Sequence, residues 1–144
     1  MQDPEIEDRG FDFLIGSEKD PVFQLCDVIR ELSYAIHRYL HNGHPEKVYE
    51  NALAHRLRKQ GIKVIQQHPI RVYDEDGALL GSFAADLFVE DKLIVELKAC
   101  ATLTSDHKAQ AQGYLRASRI EHGLLINFGS TKLEVRKLYQ SLKL

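Results

Sequence analysis

At 144 residues, with 44% hydrophobic and 28% charged side chains, the chain has ordinary globular composition and enough apolar material for one core. Its two cysteines, Cys26 and Cys100, lie far apart with no CxxC or Cys/His spacing, which argues against a zinc site, an iron-sulfur cluster or a disulfide scaffold and fits a reducing, cytoplasmic setting. The formal net charge of −2 divides unevenly, with −5 over residues 1–20 and +3 over residues 21–144, so charge alone neither establishes nor excludes a nucleic-acid partner.

The expected organisation is an acidic N-terminal extension over residues 1–20, followed by a single domain over residues 21–144. No stretch approaches the ~18 apolar residues needed to span a bilayer, and the acidic start does not resemble a basic-then-apolar leader. A membrane is therefore not an expected partner. Asp20-Pro21 reads as a helix N-cap with proline in the first turn, and Val22, Leu25, Cys26, Ile29, Leu32, Ile36 and Leu40 continue at helical spacing to Asn42-Gly43. A second helix is predicted from about Pro45 to Gln60, with Gly61 as its stop. The period then shortens to that of strands. Ile62–Ile65 and Ile70–Tyr73 are read as strands, Asp74-Glu75-Asp76-Gly77 as a turn, and further strands run over Leu79–Val89 and Leu93–Ala99. Thr104-Ser105-Asp106 caps a helix to about Ser118, and Gly123–Phe128 reads as a short apolar strand. Leu133–Leu142 fits strand or helix. The order α-α-β-β-β-β-α-β predicts an α/β fold with a mixed β-sheet flanked by helices.

The Leu79–Ala99 hairpin carries Asp86, Glu96 and Lys98 where a core should be apolar, and buried charges are costly unless paired or bound to a metal. Strand alternation tests whether they meet. A two-residue loop at Glu90-Asp91 would send Asp86 and Glu96 to opposite faces of the sheet. A three-residue loop at Glu90-Asp91-Lys92 pairs Val89 with Leu93 and sets Asp86 across from Glu96, roughly 5 Å apart at the Cβ atoms. The three-residue loop is the expected one. Leu87, Val89, Val95 and Leu97 then share one apolar face, Phe88 pairs with Ile94 on the other, and Glu96 and Lys98 share a face. Two facing carboxylates suit Mg²⁺ or Mn²⁺, and a neighbouring lysine can position or deprotonate an attacking water and offset charge on phosphorus. A strand-end ion pair between Lys98 and one acid would account for the same residues.

Two helices add polar residues at positions expected to face inward. Glu46 falls inside the apolar stripe of Tyr49, Ala52, Leu53 and Leu57, and Glu50 at its edge. Glu46 suits metal or water binding, or simply the positive end of its helix. On the later helix His107, Gln110 and Tyr114 share a stripe with Ala111 and Ser118. Gln110 and Tyr114 could hold a phosphate or orient the nucleophile, or be satisfied core residues.

Asp86 followed by Glu96-Leu97-Lys98 resembles the signature of the PD-(D/E)XK nuclease superfamily, and Gln110-x-x-x-Tyr114 resembles the motif that follows it in the exonuclease-like branch. Gly43-His44-Pro45-Glu46-Lys47-Val48-Tyr49 is similar to the motif that names the GxxExxY protein family within that superfamily. Ala85 stands where the superfamily's name pattern has proline. The resemblance covers about Leu25 to Phe128 and implies a restriction-endonuclease-like core, with Glu46, Asp86 and Glu96 as metal ligands and Lys98 as catalytic lysine. The reading is a Mg²⁺/Mn²⁺-dependent nuclease acting on nucleic acid, DNA foremost, with Gln110 and Tyr114 supporting phosphate or substrate. The alternatives are a non-catalytic nuclease-fold domain that binds nucleic acid or a protein partner, and a small-molecule phosphodiesterase. So small a chain shows no obvious target-recognition domain, and the expectation is low intrinsic sequence specificity, or targeting through a homodimer or a protein partner.

Overall fold

Asp20 opens the first helix by accepting the Val22 N–H at 3.0 Å, next to the proline that fixes the first turn. A computed structural model describes residues 20–142; apart from Asp20, the acidic extension expected over residues 1–20 lies outside the described residues. Helix α1 (Pro21–Leu40) buries Val22, Phe23, Leu25, Cys26, Ile29 and Ile36 along one face. It ends at His41, whose φ of 59° breaks the helix one residue before the expected Asn42-Gly43 stop. Helix α2 (Glu46–Lys59) ends at Gly61, where a φ of 77° is one that glycine adopts without strain.

Five strands form one mixed sheet among the described residues, in the order β1 (Val64–Tyr73), β2 (Leu79–Val89), β3 (Leu93–Lys98), β4 (His122–Asn127), β5 (Glu134–Tyr139). Only β3 and β4 are parallel, and helix α3 (Ser105–Ser118) supplies the crossover that a parallel pair requires. The two short strands read at Ile62–Ile65 and Ile70–Tyr73 run together as the single β1. The terminal segment is strand, because β5 pairs along the whole of β4 from His122–Tyr139 to Asn127–Glu134.

Strand alternation sorts the core into two layers. Leu87, Val89, Leu93, Val95, Leu97, Leu124 and Ile126 pack beneath α1 and α2 with Phe23, Ile29, Tyr49, Leu53 and Leu57. Phe88, Ile94 and Leu125 face α3, against Ala111 and Leu115. This is the division expected from the hairpin register. Tyr49 joins the first layer by stacking on Phe128 at 4.7 Å, while its hydroxyl donates to the His41 carbonyl and accepts the His44 N–H. The tyrosine therefore ties the α1–α2 connection to α2 itself, which fixes where α2 begins.

Candidate active site

The hairpin loop decides the geometry of the site. Glu90 and Asp91 take φ of 53° and 55°, the Lys92 N–H closes onto the Val89 carbonyl at 3.0 Å, and Lys92 is the extra residue that pairs Val89 with Leu93. Phe88–Ile94 and Leu87–Val95 follow, and there the backbone ladder ends. The next two residues are Asp86 and Glu96, and their side chains replace the missing backbone bonds. The Asp86 N–H donates to Glu96 Oε2 at 3.1 Å, and the Leu97 N–H donates to Asp86 Oδ2 at 2.7 Å. The two carboxyl groups are thus fixed across from each other at the splayed end of β2 and β3.

Lys98 follows two residues after Glu96, half-buried and on the same face. Among the described residues it takes part in no ion pair, so the strand-end salt bridge is not what the structure contains. Its charge nonetheless acts on Glu46, Asp86 and Glu96 together.

Helix α2 departs from its wheel. Glu46 is exposed and Glu50 is 3% exposed, the reverse of the expected arrangement. Glu50 is buried because three donors satisfy its carboxylate: Lys47 Nζ at 3.0 Å and Gln66 Nε2 at 2.8 Å on Oε2, and Gln67 Nε2 at 2.8 Å on Oε1. Neighbouring strand residues ordinarily point to opposite faces, but Gln67 has a φ of 53°, which turns its amide toward the same carboxylate as that of Gln66. A left-handed non-glycine residue costs about 1–2 kcal/mol. Gln67 Nε2 also reaches Asp86 Oδ1 at 3.3 Å. The sequence contained no signal for this. Gln66 and Gln67 fall in the gap between two predicted strands, and their partner lies on another element.

The site is short of positive charge. Burial, and then the charge of Asp86, push the Glu96 carboxyl up to about 8. Asp86 is raised by burial, against the lowering effect of its hydrogen bonds from Leu97 and Gln67, and Glu46, although its side chain reaches solvent, is raised by partial desolvation of its carboxyl and then by Asp86. Hard carboxylate oxygens at such a site fit a divalent cation, which would relieve the repulsion that Lys98 alone does not. Asp86 and Glu96 are placed to hold it, with Glu46 nearby. Among the described residues, no three His, Cys, Asp or Glu side chains are gathered tightly enough to hold an ion unaided. An ion that keeps several waters and takes oxygens from its substrate has no need of a closed protein cage.

Past Lys98 the chain is pinned by Asn127, its partner in β4, which is fully buried. Asn127 Oδ1 accepts the N–H groups of Cys100 and Gly129, both at 3.0 Å, and Nδ2 donates to the Cys100 carbonyl at 2.9 Å and to Glu134 Oε1 at 2.8 Å. Glu134 Oε1 in turn accepts the Leu103 N–H at 3.0 Å. The loop leaving the lysine is therefore held rigidly against β4. Asn127 falls within the apolar strand expected over Gly123–Phe128, and only its long-range partners show the role.

Of the stripe expected to face inward on α3, Ala111 is buried, His107, Tyr114 and Ser118 are half-buried, and only Gln110 turns outward. The buried residues are Ala111 and Leu115, which pack on the sheet, while Gln110 is exposed and His107 caps its own helix through Thr104. Tyr114 is half-buried and stacks on Phe83 of β2 at 3.8 Å. Among the described residues, neither Gln110 nor Tyr114 hydrogen-bonds to Asp86, Glu96 or Lys98.

The family model of the PD-(D/E)XK nuclease superfamily matches residues 23–138. A solved protein described as "Crystal structure of SSO0001" is similar at 16% identity with a TM-score of 0.51, over 67% of this chain and 50% of that one, a likeness that shows shared fold alone. The chain thus spans half the length of that protein. No curated protein matches it.

Proposed function

The chain belongs to the PD-(D/E)XK nuclease superfamily, and we propose that it is a catalytically active, divalent-metal-dependent nuclease that hydrolyses phosphodiester bonds of DNA. Nucleases of this superfamily generally use divalent metal ions, and Mg²⁺ or Mn²⁺ is the proposed one here. The observation that carries the reading is the placement of Asp86 opposite Glu96, joined through side chains where the ladder ends, with Lys98 on the same face and, among the described residues, in no ion pair.

Each residue has a distinct part. Asp86, held by the Leu97 N–H, presents a carboxylate of fixed orientation, and Glu96 offers the opposing one. Lys98, in no ion pair among the described residues, is available to hold the attacking water and to offset charge developing on the phosphate oxygens. Bound at Asp86 and Glu96, with Glu46 nearby, the metal would lower the pKa of water and stabilise the leaving oxygen. Gln110 and Tyr114 are proposed to meet substrate beyond the scissile bond.

Within the superfamily the proposed group is GxxExxY, on the strength of Gly43, Glu46 and Tyr49. No helix among the described residues is long and apolar enough to cross a membrane.

The test is incubation of pure protein with labelled single- and double-stranded DNA and with RNA, in Mn²⁺ and in EDTA. Wild type is expected to cleave DNA in Mn²⁺ only, and Lys98→Ala to cleave nothing. If wild type and Lys98→Ala behave alike in every lane, hydrolysis is not the function, and a nuclease fold used for binding takes its place.

A further inference from the structure

Gln67 is an exposed side chain on a strained backbone, yet its amide is held from two sides. Its nitrogen carries two hydrogens, and two carboxylate oxygens take them, Glu50 Oε1 at 2.8 Å and Asp86 Oδ1 at 3.3 Å. Both neighbouring oxygens accept, so both call for the nitrogen and fix which end of the amide faces inward. Glu50 is in turn immobile, because its other oxygen is bound by Lys47 and Gln66 and the residue is 3% exposed. Left-handed backbone at a non-glycine residue persists where the surroundings over-determine it, and the β1–β2 register runs through this one unshifted, from Gln66–Leu87 to His68–Ala85. Here the kink gains Gln67 no burial. What it achieves is to place one donor between α2 and Asp86.

We propose that Gln67, anchored by the buried carboxylate of Glu50, is a positioning residue that holds Asp86 in the orientation that receives the Leu97 N–H. Asp86 is then gripped from both sides, Oδ2 by Leu97 and Oδ1 by Gln67, so its carboxyl plane is set before any ligand arrives. Glu50 acts as an anchor, both of its oxygens being already engaged. The inference deepens the proposed metal centre and rests on that reading only for its consequence in metal affinity. The grip itself is a property of the metal-free protein.

Amide hydrogen exchange by NMR on the metal-free protein tests the grip, comparing wild type with Gln67→Ala, Gln67→Gly and Glu50→Gln. The glycine variant tolerates the backbone conformation, so it reports loss of the amide without added strain. The Leu97 amide is expected to exchange about tenfold faster in the variants, while the Leu124 and Ile126 amides in the centre of the sheet stay unchanged. Unchanged Leu97 exchange would overturn the inference. Equal acceleration of all three amides would overturn it too, since it would mark a merely structural role. In Mn²⁺ calorimetry both Gln67 variants are expected to bind about tenfold more weakly than wild type, as is typical when a residue behind a metal ligand is lost. Wild-type affinity in both would also overturn it. Absence of Mn²⁺ binding by wild type would sink the metal-centre reading, and the Leu97 exchange rates would still decide whether the grip exists.

Discussion

Replacing Glu96 by glutamine should stabilise the metal-free protein at alkaline pH. Glu96 is 8% exposed, and its carboxyl is pushed up to about 8 from an ordinary 4.5, by burial first and then by the charge of Asp86. A carboxyl whose folded pKa lies above its unfolded one binds more protons in the native state between those values. Stability therefore falls as pH rises from 4.5 to about 8 and levels off beyond. At ~1.4 kcal/mol per pH unit the displacement has a ceiling of about 5 kcal/mol. Local relaxation and water entry reduce it to roughly 2–3 kcal/mol. Glutamine keeps the acceptor for the Asp86 N–H and offers Asp86 a donor in place of a like charge. For a chain of this length Glu96→Gln should raise Tm by roughly 6–12 °C at pH 8.5 and by about 1–2 °C or less at pH 5. Calorimetric scans in EDTA across that range read the difference directly. Parallel curves for wild type and variant, or a less stable variant at pH 8.5, would refute the claim that an uncompensated buried carboxylate sits at position 96.

Three further outcomes follow from individual contacts. Asn127→Ala leaves the Cys100 and Gly129 groups without their partners and should cost roughly 3 kcal/mol in urea unfolding, where a cost within about 0.5 kcal/mol of zero would contradict the bracing role. Gly129→Ala would put a Cβ 2.3 Å from the Cys100 nitrogen and 2.4 Å from the Ala99 carbonyl carbon. Since both are backbone atoms, that variant should lose about 3 kcal/mol or fail to accumulate folded, and a wild-type Tm would show that the loop is free to move. Gln110→Ala should leave Tm unchanged because Gln110 is exposed, while lowering kcat/KM on DNA about tenfold, and an unchanged kcat/KM would remove Gln110 from the substrate surface.

The hairpin was legible because a period of two permits a count. Once the loop length is set, Val89–Leu93 pairing places Asp86, Glu96 and Lys98 without any tertiary information. Helix α1 was legible from Asp20-Pro21 and its apolar spacing. What escaped the sequence depended on partners far along the chain. Glu50 is buried because Gln66 and Gln67 donate to its carboxylate beside Lys47, and the glutamines reach it because Gln67 leaves the strand conformation, which no local pattern announced. The inner face of α3 was misassigned for a related reason. The expected stripe held Ala111 but not Leu115, and packing against Phe88 and Ile94 turns the helix so that Leu115 is buried with Ala111 and Gln110 is left exposed. The ambiguity over the last strand was settled by hydrogen bonding to β4, which the period of residues 133–142 could not supply.

The most direct test of the proposed centre is Mn²⁺ calorimetry at pH 7 in buffers of different ionisation enthalpy, on wild type and Glu96→Gln. Because Glu96 has a pKa of about 8, it holds its proton at that pH and must lose it to accept a cation. Wild type is expected to release about one proton per Mn²⁺ bound, and Glu96→Gln to bind weakly and release close to none. Binding with no proton release, or equal release by the two proteins, would contradict a metal centre built on Asp86 and Glu96.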